Sequence, residues 1–324
     1  MQYSARNNQD VITFGKDLFN EYSLGAKPFL KWAGGKTQLL EQLIKYFPPE
    51  LKNGALKNYY EPFLGSGAVF FFIAQNYSIK NAFLSDINED LVLTFSVVQR
   101  NVLELIDELS LLKTKFINKN NIDRELFFYE IRYIYNAERE KINFGKYSSA
   151  WVPRAAKMIF LNKTCFNGLF RLNRKGEFNV PFGGYKNPNI LDQENLINAS
   201  SVLQIAEIYL TDFENIKSKI KDNFFIYFDP PYRPISNTSK FTSYSKYDFT
   251  EEDQKRLAKF YEELNINGNK LMLSNSDPKN ENPDDNFFEK LYEKYNIIKV
   301  QANRMINCNG NKRGKINELL ITNY

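Results

Sequence analysis

The sequence predicts an α/β protein in which a largely parallel sheet carries a mainly helical insertion. Short apolar runs suited to strands alternate with helical patterns both before residue 91 and after residue 223. Between these parts, residues 91–163 follow a helical periodicity almost throughout. A chain of 324 residues also exceeds the usual size of one compact domain, so an insertion or a second domain is expected.

Composition limits the chemistry that this chain can perform. The 43 Lys and Arg residues against 38 Asp and Glu give a formal charge of +5, which permits a nucleic-acid partner without requiring one. The sequence contains no histidine, which removes imidazole bases, histidine-bound metals and nucleophiles that histidine would activate. We therefore expect a reaction that needs neither a metal nor a strong base.

The same composition favours a protein of the reducing cytoplasm. Cys165 and Cys308 are the only cysteines, too few for a disulfide framework or a thiolate zinc site. The first 24 residues lack the basic start and apolar core of a secretory signal. The longest fully apolar run, residues 68–74, is far too short to span a bilayer.

The beginning of the chain combines a weakly patterned segment with a loop before a helix. Residues 1–25 are polar, which predicts an N-terminal extension without visible chemistry. The next stretch, KPFLKWAGGKTQLLEQLIKYFP, places two glycines before a helical pattern that ends at two prolines, so a loop would hold Trp32 and Lys36 at the start of a helix. This is not a phosphate-binding P-loop, because Leu30 stands where that motif requires a glycine.

Residues 59–73 predict a short strand, a glycine turn and a helix, because the small residues 65–67 separate two apolar runs. The turn lacks the third glycine of the dinucleotide fingerprint, so we expect a ligand close to bare backbone rather than a bound pyrophosphate. A second strand, in AFLSDINEDL, ends at Asp86, where an acidic side chain in such folds accepts hydrogen bonds from ribose hydroxyls. Together these features predict a nucleoside site, although Glu61 or Asp86 taken alone is more often a helix cap or a turn residue.

The stretch FFIYFDPPY, residues 224–232, joins a buried strand pattern to a carboxylate, two prolines and a tyrosine. The prolines supply no N–H, so the carbonyl oxygens beside them stay free to accept hydrogen bonds. With Asp229, these oxygens can hold both hydrogens of an amino group while a planar ring stacks on Tyr232. The pattern fits a nucleobase with an exocyclic amine, and a plain strand end at an Asp-Pro-Pro turn is an equally good interpretation of these residues alone.

The segment TCFNGLFRLNRKGEFNVPFGGYKNP predicts a loop-rich hairpin, because Asn-Gly and Lys-Gly turns separate short strand-like runs. Its apolar side chains, such as Phe166 and Leu169, are interleaved with Arg171 and Arg174. Such a device can wedge between bases and read base edges. Taken alone, the segment is more simply a surface hairpin with scattered charge.

The last third of the chain returns to alternating elements. After residue 232, the run RPISNTSKFTSYSKYDF predicts a Ser/Thr-rich loop that follows the site and closes over a ligand. A helix is expected over residues 251–264, then a strand in KLMLSNS, a helix in DNFFEKLYEKY and two final strands in IIKVQANRMI and INELLITNY. This alternation predicts that most of the sheet is parallel.

The chain contains, in this order, KPFLKWAGGK, EPFLGSG, SDIN and FDPPY, and with these motifs it resembles the DNA adenine methylases of the Dam and DpnII type. The resemblance runs from residue 27 to residue 324 and includes FNGLFRLNRKGEFNVPFG and the final RGKINELLITNY. It implies a Rossmann-like S-adenosylmethionine-dependent methyltransferase sheet with an inserted, mainly helical target-recognition domain bearing a β-hairpin. It also implies methyl transfer from S-adenosylmethionine to the exocyclic amino group of adenine in duplex DNA, by base flipping and commonly within GATC.

The resemblance implies a role for individual positions. The residues implied to surround S-adenosylmethionine are Trp32, Lys36, Glu61, Phe63, Gly65, Ser66, Gly67, Asp86, Ile87 and Asp229. The residues implied to hold the target adenine as the catalytic group are Asp229, Pro230, Pro231 and Tyr232. The residues implied to contact DNA, with Arg171 reading a guanine, are Lys31, Phe166, Asn167, Leu169, Arg171, Asn173, Pro181 and Tyr185. One departure is Gly184, where relatives often carry arginine, which implies a weaker flanking contact here.

The resemblance also implies an organisation and a set of partners. Its parts are an extension over residues 1–25, a catalytic domain over 26–98 and 206–324, and a target-recognition domain over 99–205. The implied partners are double-stranded DNA and a cognate restriction endonuclease that acts on the same site without forming a stable complex. Two alternatives stay open: a methyltransferase for an RNA base or a protein amide, and a DNA-binding module without catalysis. The hairpin argues against a protein substrate, and Asp86 with Asp229 argues against a module without catalysis.

Overall fold

The computed structural model describes residues 25–32, 34–36, 39–173, 175–233, 249–303 and 315–324. Four sequence predictions concern residues outside these ranges: the extension up to residue 24, Arg174, the Ser/Thr-rich loop from 234 to 248, and Cys308. Within the described residues, no helix is long and apolar enough to cross a membrane.

A seven-stranded sheet forms the framework of the protein. Its strands are β1 (Asn58–Glu61), β2 (Asn81–Asp86), β3 (Ala206–Leu210), β4 (Phe224–Phe228), β5 (Lys270–Ser276), β6 (Asn296–Asn303) and β7 (Lys315–Thr322). They lie in the order β3-β2-β1-β4-β5-β7-β6. Strands β1 to β5 are parallel, and β7 runs antiparallel between β5 and β6. The predicted α/β class with a largely parallel sheet is therefore confirmed.

Helices cover the sheet and fill the insertion. In the described residues they are α1 (Leu40–Leu43), α2 (Pro49–Lys52), α3 (Ala68–Asn76), α4 (Glu89–Arg100), α5 (Val102–Ile117), α6 (Asn121–Ala137), α7 (Trp151–Thr164), α8 (Gln193–Leu203), α9 (Glu251–Ile266) and α10 (Phe287–Leu291). The first predicted helix is shorter than expected, because α1 tightens into a 3₁₀ turn over Ile44–Tyr46. Pro49 then opens α2, at the position where a missing N–H costs no hydrogen bond. The sequence interpretation did not single out α8 or β3.

Strand β4, formed by FFIYF, is the central strand of the sheet. All five of its side chains are buried, as expected for a parallel strand covered on both faces. Phe225 and Tyr227 pack in one hydrophobic cluster, whereas Phe224, Ile226 and Phe228 pack in the other. This division follows from the alternation of side chains along a strand. The sheet is thus held between two apolar layers, and the chain leaves β4 directly at Asp229.

The long connection from β2 to β3 contains α4 to α8 and the predicted hairpin. Two isolated antiparallel bridges, Cys165 with Phe182 and Leu172 with Phe178, hold the two arms of the hairpin together. Phe178 belongs to the same hydrophobic cluster as Tyr227 of β4. The insertion and the sheet therefore share one apolar core.

A buried ion pair fastens the start of α4 to the insertion. The Asp90 Oδ1 and Arg154 Nε atoms lie 2.6 Å apart, and each side chain is 1% exposed. Arg154 also donates to the Tyr135 carbonyl oxygen at 2.8 Å, and Arg139 binds the other carboxylate oxygen of Asp90 at 2.6 Å. Among the described residues, Arg154 has one other carboxylate near it, Glu138, at 3.9 Å, so Asp90 is its main counter-ion away from water.

We expect Asp90→Ala to lower the free energy of unfolding by about 3–5 kcal/mol, because it leaves the Arg154 guanidinium buried without its counter-ion. Urea denaturation of the purified protein measures this change. A matched control is Glu263→Ala, which breaks an exposed pair with Lys217 and is expected to cost less than about 1 kcal/mol. Equal effects of the two variants would contradict a structural role for the buried pair.

Candidate active site and nucleic-acid interface

The acids singled out in the sequence meet at one edge of the sheet. The strand order reverses between β1 and β4, so the connections that follow these strands diverge and leave a crevice. Glu61 ends β1, Asp229 directly follows β4, and Asp86 ends β2 beside β1. In open α/β sheets, ligands bind at this reversal, outside the carboxyl ends of the strands.

A cavity in the crevice gathers residues from segments that are far apart in sequence. Six of its lining residues were singled out as candidates in the sequence: Trp32, Lys36, Glu61, Gly65, Ser66 and Asp229. Six were not: Gly34, Gly35, Leu64, Ala68, Val69 and Tyr227. Tyr227 could have been found, because a residue two positions before Asp229 on a strand faces the same side of the sheet.

The glycine turn allows Trp32 to approach the backbone after β1. Gly65 has a φ of 48°, in the left-handed region. A Cβ atom there would lie 3.1 Å from Trp32 Cδ1. A side chain at this position would therefore be strained and would press against the indole that lines the cavity.

The other four candidate cofactor residues, Phe63, Gly67, Asp86 and Ile87, lie outside the lining. The Phe63 ring packs against Phe213 and Phe249, with centroids 5.5 and 5.7 Å apart. Gly67 starts α3, and a Cβ atom there would meet a ring carbon of a neighbouring phenylalanine at 3.3 Å. Ile87 is 42% exposed, immediately after Asp86. Phe63 and Gly67 are next in sequence to residues that line the cavity, whereas Ile87 is not.

Asp86 links β2 to the glycine turn. Its Oδ2 atom accepts a hydrogen bond from the Gly65 N–H at 3.3 Å, and its Oδ1 atom accepts one from the Asn88 N–H at 2.9 Å. Asn88 in turn caps α4 by accepting from the Leu91 N–H. Burial raises the pKa of the Asp86 carboxyl to about 6, although the backbone hydrogen bonds oppose this shift.

This pKa predicts a pH dependence of cofactor binding. If the Asp86 carboxylate accepts hydrogen bonds from ribose hydroxyls, S-adenosylmethionine affinity is full above a pH of about 6 and falls as the carboxyl gains its proton below it. We expect the dissociation constant to rise about tenfold between pH 7 and pH 5, measured by titration calorimetry. The Asp86→Asn variant is the control, and its affinity should be weaker at pH 7 and flatter over this range. A wild-type profile as flat as that of the variant would contradict the assignment.

Asp229 receives two side-chain contacts on one oxygen. Lys36 Nζ lies 2.7 Å from its Oδ1 atom, and the Ser274 hydroxyl donates to the same atom at 3.2 Å. Lys36 is 3% exposed and also donates to the Gly34 carbonyl oxygen at 3.0 Å. Burial raises the pKa of the Asp229 carboxyl above its ordinary value, and the Lys36 ammonium opposes that shift. Lys36 therefore favours the ionised carboxylate.

Glu61 is a second acid in the same cavity with a different charge state. Burial raises the pKa of its carboxyl to about 8, so the group carries a proton at neutral pH. The Tyr59 hydroxyl donates to Glu61 Oε2 at 2.7 Å. The negative charge of Asp229 adds to the shift. The cavity thus combines a neutral acid and a lysine-paired acid.

The residues after Asp229 are fixed by two side chains of distant elements. Pro231 accepts a hydrogen bond on its carbonyl oxygen from Gln254 Nε2 of α9 at 3.1 Å. Tyr232 donates its hydroxyl proton to Glu318 Oε2 of β7 at 2.6 Å, and Lys36 Nζ lies 4.7 Å from the centroid of its ring. The Pro230 carbonyl oxygen accepts no hydrogen bond from the residues that the structure describes. The backbone acceptor predicted beside Asp229 is thus available.

The segment that carries Trp32 and Lys36 also contacts the hairpin. Lys31 Nζ lies 5.1 Å from the centroid of the Tyr185 ring, and the Tyr185 hydroxyl accepts from the Asn167 N–H at 2.9 Å. The Trp32 ring stacks on Phe170 with centroids 5.2 Å apart. The short segment from Lys31 to Lys36 therefore contacts the hairpin at one end and lines the candidate active site at the other.

The candidate DNA-contacting side chains differ in their surroundings. Phe166 is 52% exposed at the start of the hairpin, whereas Leu169 packs partly against the core. Arg171 donates from Nε to Asn179 Oδ1 at 2.8 Å, which fixes the guanidinium from one side. Asn173 uses its side-chain oxygen within the turn, where it accepts from the N–H groups of residues 175 and 177. The exposed Pro181 accepts the Phe166 N–H on its carbonyl oxygen at 2.9 Å.

Metal chemistry has no visible support in the described part of the chain. No group of three or more His, Cys, Asp or Glu side chains there could hold a metal ion.

The strand order and the crevice beyond β1 and β4 are consistent with one class of protein, the S-adenosylmethionine-dependent methyltransferases. Within that class, residues 32–306 match the family model of the D12 class of N6 adenine-specific DNA methyltransferases. The chain belongs to this family, and its reaction class is methylation of adenine in DNA.

Named relatives agree over almost the whole chain. The type II methyltransferase M.MjaIII of Methanocaldococcus jannaschii is 52% identical over 299 residues, which cover 92% of this chain and 99% of that protein. The type II methyltransferase M1.LlaDCHI of Lactococcus lactis is 36% identical over 310 residues, covering 95% of this chain and 99% of the relative. The DNA adenine methylase of Escherichia coli is 32% identical over 294 residues, covering 91% and 94% of the two chains.

Proposed function

We propose that this protein is a site-specific enzyme that methylates the exocyclic amino group of adenine in duplex DNA. It flips the target base out of the helix and acts within GATC. The observation that carries the proposal is that Asp229 lines a cavity at the strand reversal, where Lys36 pairs with it and lies 4.7 Å from the centroid of the Tyr232 ring. Family membership supplies the reaction class. The arrangement of these residues supports the way in which the base is held.

The cavity residues fit the cofactor that the family implies. The left-handed Gly65 turn lets a ligand lie against backbone beside Trp32, and Asp86 presents a carboxylate next to that turn. Trp32, Glu61, Gly65, Ser66 and Asp86 would hold the adenosine part, with Lys36 and Asp229 at the reactive end. When bound, S-adenosylmethionine supplies the methyl group.

The chain's own residues would activate the adenine. The lone pair of an exocyclic amine is delocalised into the ring, so the nitrogen is a weak nucleophile until it becomes more tetrahedral. Asp229 and the Pro230 carbonyl each accept one N–H, which favours that geometry and the positive charge that develops on nitrogen. These acceptors are fixed before the base arrives, because Lys36 and Ser274 hold the carboxylate. Positioning and fixed electrostatics would then supply most of the acceleration.

Duplex DNA hides this amino group, so the target must leave the helix to reach Asp229. Tyr232 would be the stacking face for the extruded ring, and the exposed Phe166 would enter the stack that it leaves. Arg171 donates to Asn179 from both Nε and Nη2 and would read a guanine edge with Nη1. This assigns residues 99–205 to target recognition and residues 26–98 and 206–324 to catalysis.

The names of the relatives support two biological roles, in a restriction-modification system or as a DNA adenine methylase without a partner nuclease. Two of them are type II methyltransferases, which suggests a cognate restriction endonuclease acting on the same site, and one is a DNA adenine methylase. A methyltransferase for RNA or protein and a non-catalytic DNA-binding module are the competing functions. Family membership and the paired acids Asp86 and Asp229 favour adenine methylation of DNA over both.

Sequencing that detects N6-methyladenine tests the proposal directly. DNA without methylation is incubated with the purified protein and S-adenosylmethionine, and the methylated positions are mapped. We expect methylated adenines within GATC and no methylated cytosines. Methylation at another sequence would overturn the GATC assignment, and binding of S-adenosylmethionine without any methylated DNA would overturn the enzymatic function.

A further inference from the structure

Strand β7 brings a carboxylate next to the candidate catalytic residues. This carboxylate lies outside the FDPPY stretch that contains them. Glu318 lies on β7, in the final RGKINELLITNY run, 86 residues after Tyr232. Its Oε2 atom accepts the Tyr232 hydroxyl proton at 2.6 Å. Burial raises the pKa of the Glu318 carboxyl, whereas the Lys36 ammonium and the hydrogen bond from Tyr232 favour its ionised form. The residue is 8% exposed, so it is not a solvated surface acid.

The sheet fixes the position of Glu318 on two sides. It pairs with Ser276 at the carboxyl end of β5 and with Val300 of β6. Because β7 is antiparallel to β5, the early part of β7 lies at the same edge as the carboxyl ends of the parallel strands. Glu318 is therefore held by strands on both sides, whereas Tyr232 lies in a connection outside any helix or strand.

We propose that Glu318 is a positioning residue that holds the ring of Tyr232 in the orientation needed to stack on the target adenine. This inference rests on the proposed function, since it assigns a purpose to the ring. A tyrosine in a loop rotates about two side-chain bonds, and stacking requires one ring plane. Fixing the hydroxyl oxygen restricts rotation about the Cα–Cβ bond. Because a phenol O–H prefers to lie in the plane of the ring, the direction of its bond to Glu318 also favours one ring plane.

Glu318 has a further effect through the ring itself. A hydrogen bond from the phenol to a carboxylate increases the electron density of the ring, and a richer ring face favours a neighbouring cation. The Lys36 ammonium, 4.7 Å from the ring centroid, already uses this property. The adenine gains positive charge as its amino nitrogen forms a bond to the methyl carbon while the bond from that carbon to sulfur breaks. An electron-rich Tyr232 ring would therefore favour the reacting base over the resting one.

A double-mutant cycle tests whether Glu318 acts through the hydroxyl of Tyr232. The variants are Tyr232→Phe, Glu318→Met and the combination of the two, with single-turnover methylation of a GATC duplex as the measurement. We expect each single variant to lower the rate about tenfold, as for the loss of one hydrogen bond to a charged group. The double variant should be no slower than either single variant, because both substitutions remove the same contact. Rate losses that multiply would overturn the proposal.

Two further measurements separate positioning from a general effect on folding. Glu318→Gln keeps an acceptor oxygen of the same reach, so it should recover most of the rate that Glu318→Met loses. With 2-aminopurine in place of the target adenine, Glu318→Met should reduce the fluorescence change on binding, while the dissociation constant of S-adenosylmethionine stays within twofold of the wild-type value. A Gln variant as slow as the Met variant, or an unchanged fluorescence signal, would overturn the assignment.

The outcome is distinguishable from a failure of the proposed function. If the wild-type protein methylates no adenine, the function itself is wrong. If it methylates adenine and the cycle is additive, only the role of Glu318 is wrong.

Discussion

Asp229→Ala is expected to lower the rate of methyl transfer by about 10²–10³-fold, because it removes the charged acceptor for one N–H of the target amine. Single-turnover incorporation of labelled methyl groups into DNA measures this loss. The affinity for S-adenosylmethionine should change far less, since Trp32 and Gly65 line the rest of the cavity and Asp86 is bonded to the Gly65 turn. Substantial residual turnover would contradict the mechanism.

The chain offers a control for this substitution in Ser274, which donates to the same carboxylate oxygen at 3.2 Å. Ser274→Ala keeps the acceptor and the charge, so we expect less than about a tenfold loss. Asp229→Asn covers the case in which the alanine variant does not fold, because it keeps the shape while the Lys36 ammonium loses its ion pair. Circular dichroism and thermal unfolding of all three proteins establish whether they are folded.

Arg171→Ala is expected to cost about 1–3 kcal/mol of discrimination at one guanine of the recognition sequence. Competition between a GATC duplex and duplexes with one substituted base pair measures this effect position by position. The loss should be confined to a single base pair, because a guanidinium reads one guanine edge. An equal loss of affinity for all duplexes would instead identify Arg171 as a phosphate contact.

Two neighbouring residues sharpen this experiment. Lys175→Ala removes an exposed cation from the turn of the same hairpin, and it should weaken binding evenly across sequences with a smaller salt dependence. Asn179→Ala removes the acceptor that holds Arg171 Nε at 2.8 Å, so it should reduce discrimination at the same base pair as Arg171→Ala. An Asn179 variant with full discrimination would show that the guanidinium needs no such support.

The sequence was informative where a local pattern determines local structure. FFIYF predicts a fully buried strand, and the small residues 65–67 predict the turn after β1, because both signals lie within a few residues. Asp86 was identified as the end of β2 for the same reason. These predictions place the acids at strand ends, and the parallel sheet then brings them to one edge.

The sequence was not informative where strand order decides which residues meet. The pairing of Lys36 with Asp229 joins positions 193 residues apart, and no local pattern fixes that distance. The contact between Glu318 and Tyr232 likewise depends on β7 entering between β5 and β6. The helix predicted in DNFFEKLYEKY is shorter than its pattern, because α10 ends at Leu291 and Tyr292 is buried from the turn that follows.

The hydrophobic cluster shared by Phe178 of the hairpin and Tyr227 of β4 has a consequence for the DNA. Close-packed cores resist compression and stretching, so the distance between the hairpin and Asp229 is nearly fixed. If the hairpin reads the sequence as proposed, the DNA rather than the protein has to bend and unstack for the adenine to reach Asp229. A mispaired target adenine opens at lower cost, and duplexes that carry one should bind more tightly than fully paired duplexes.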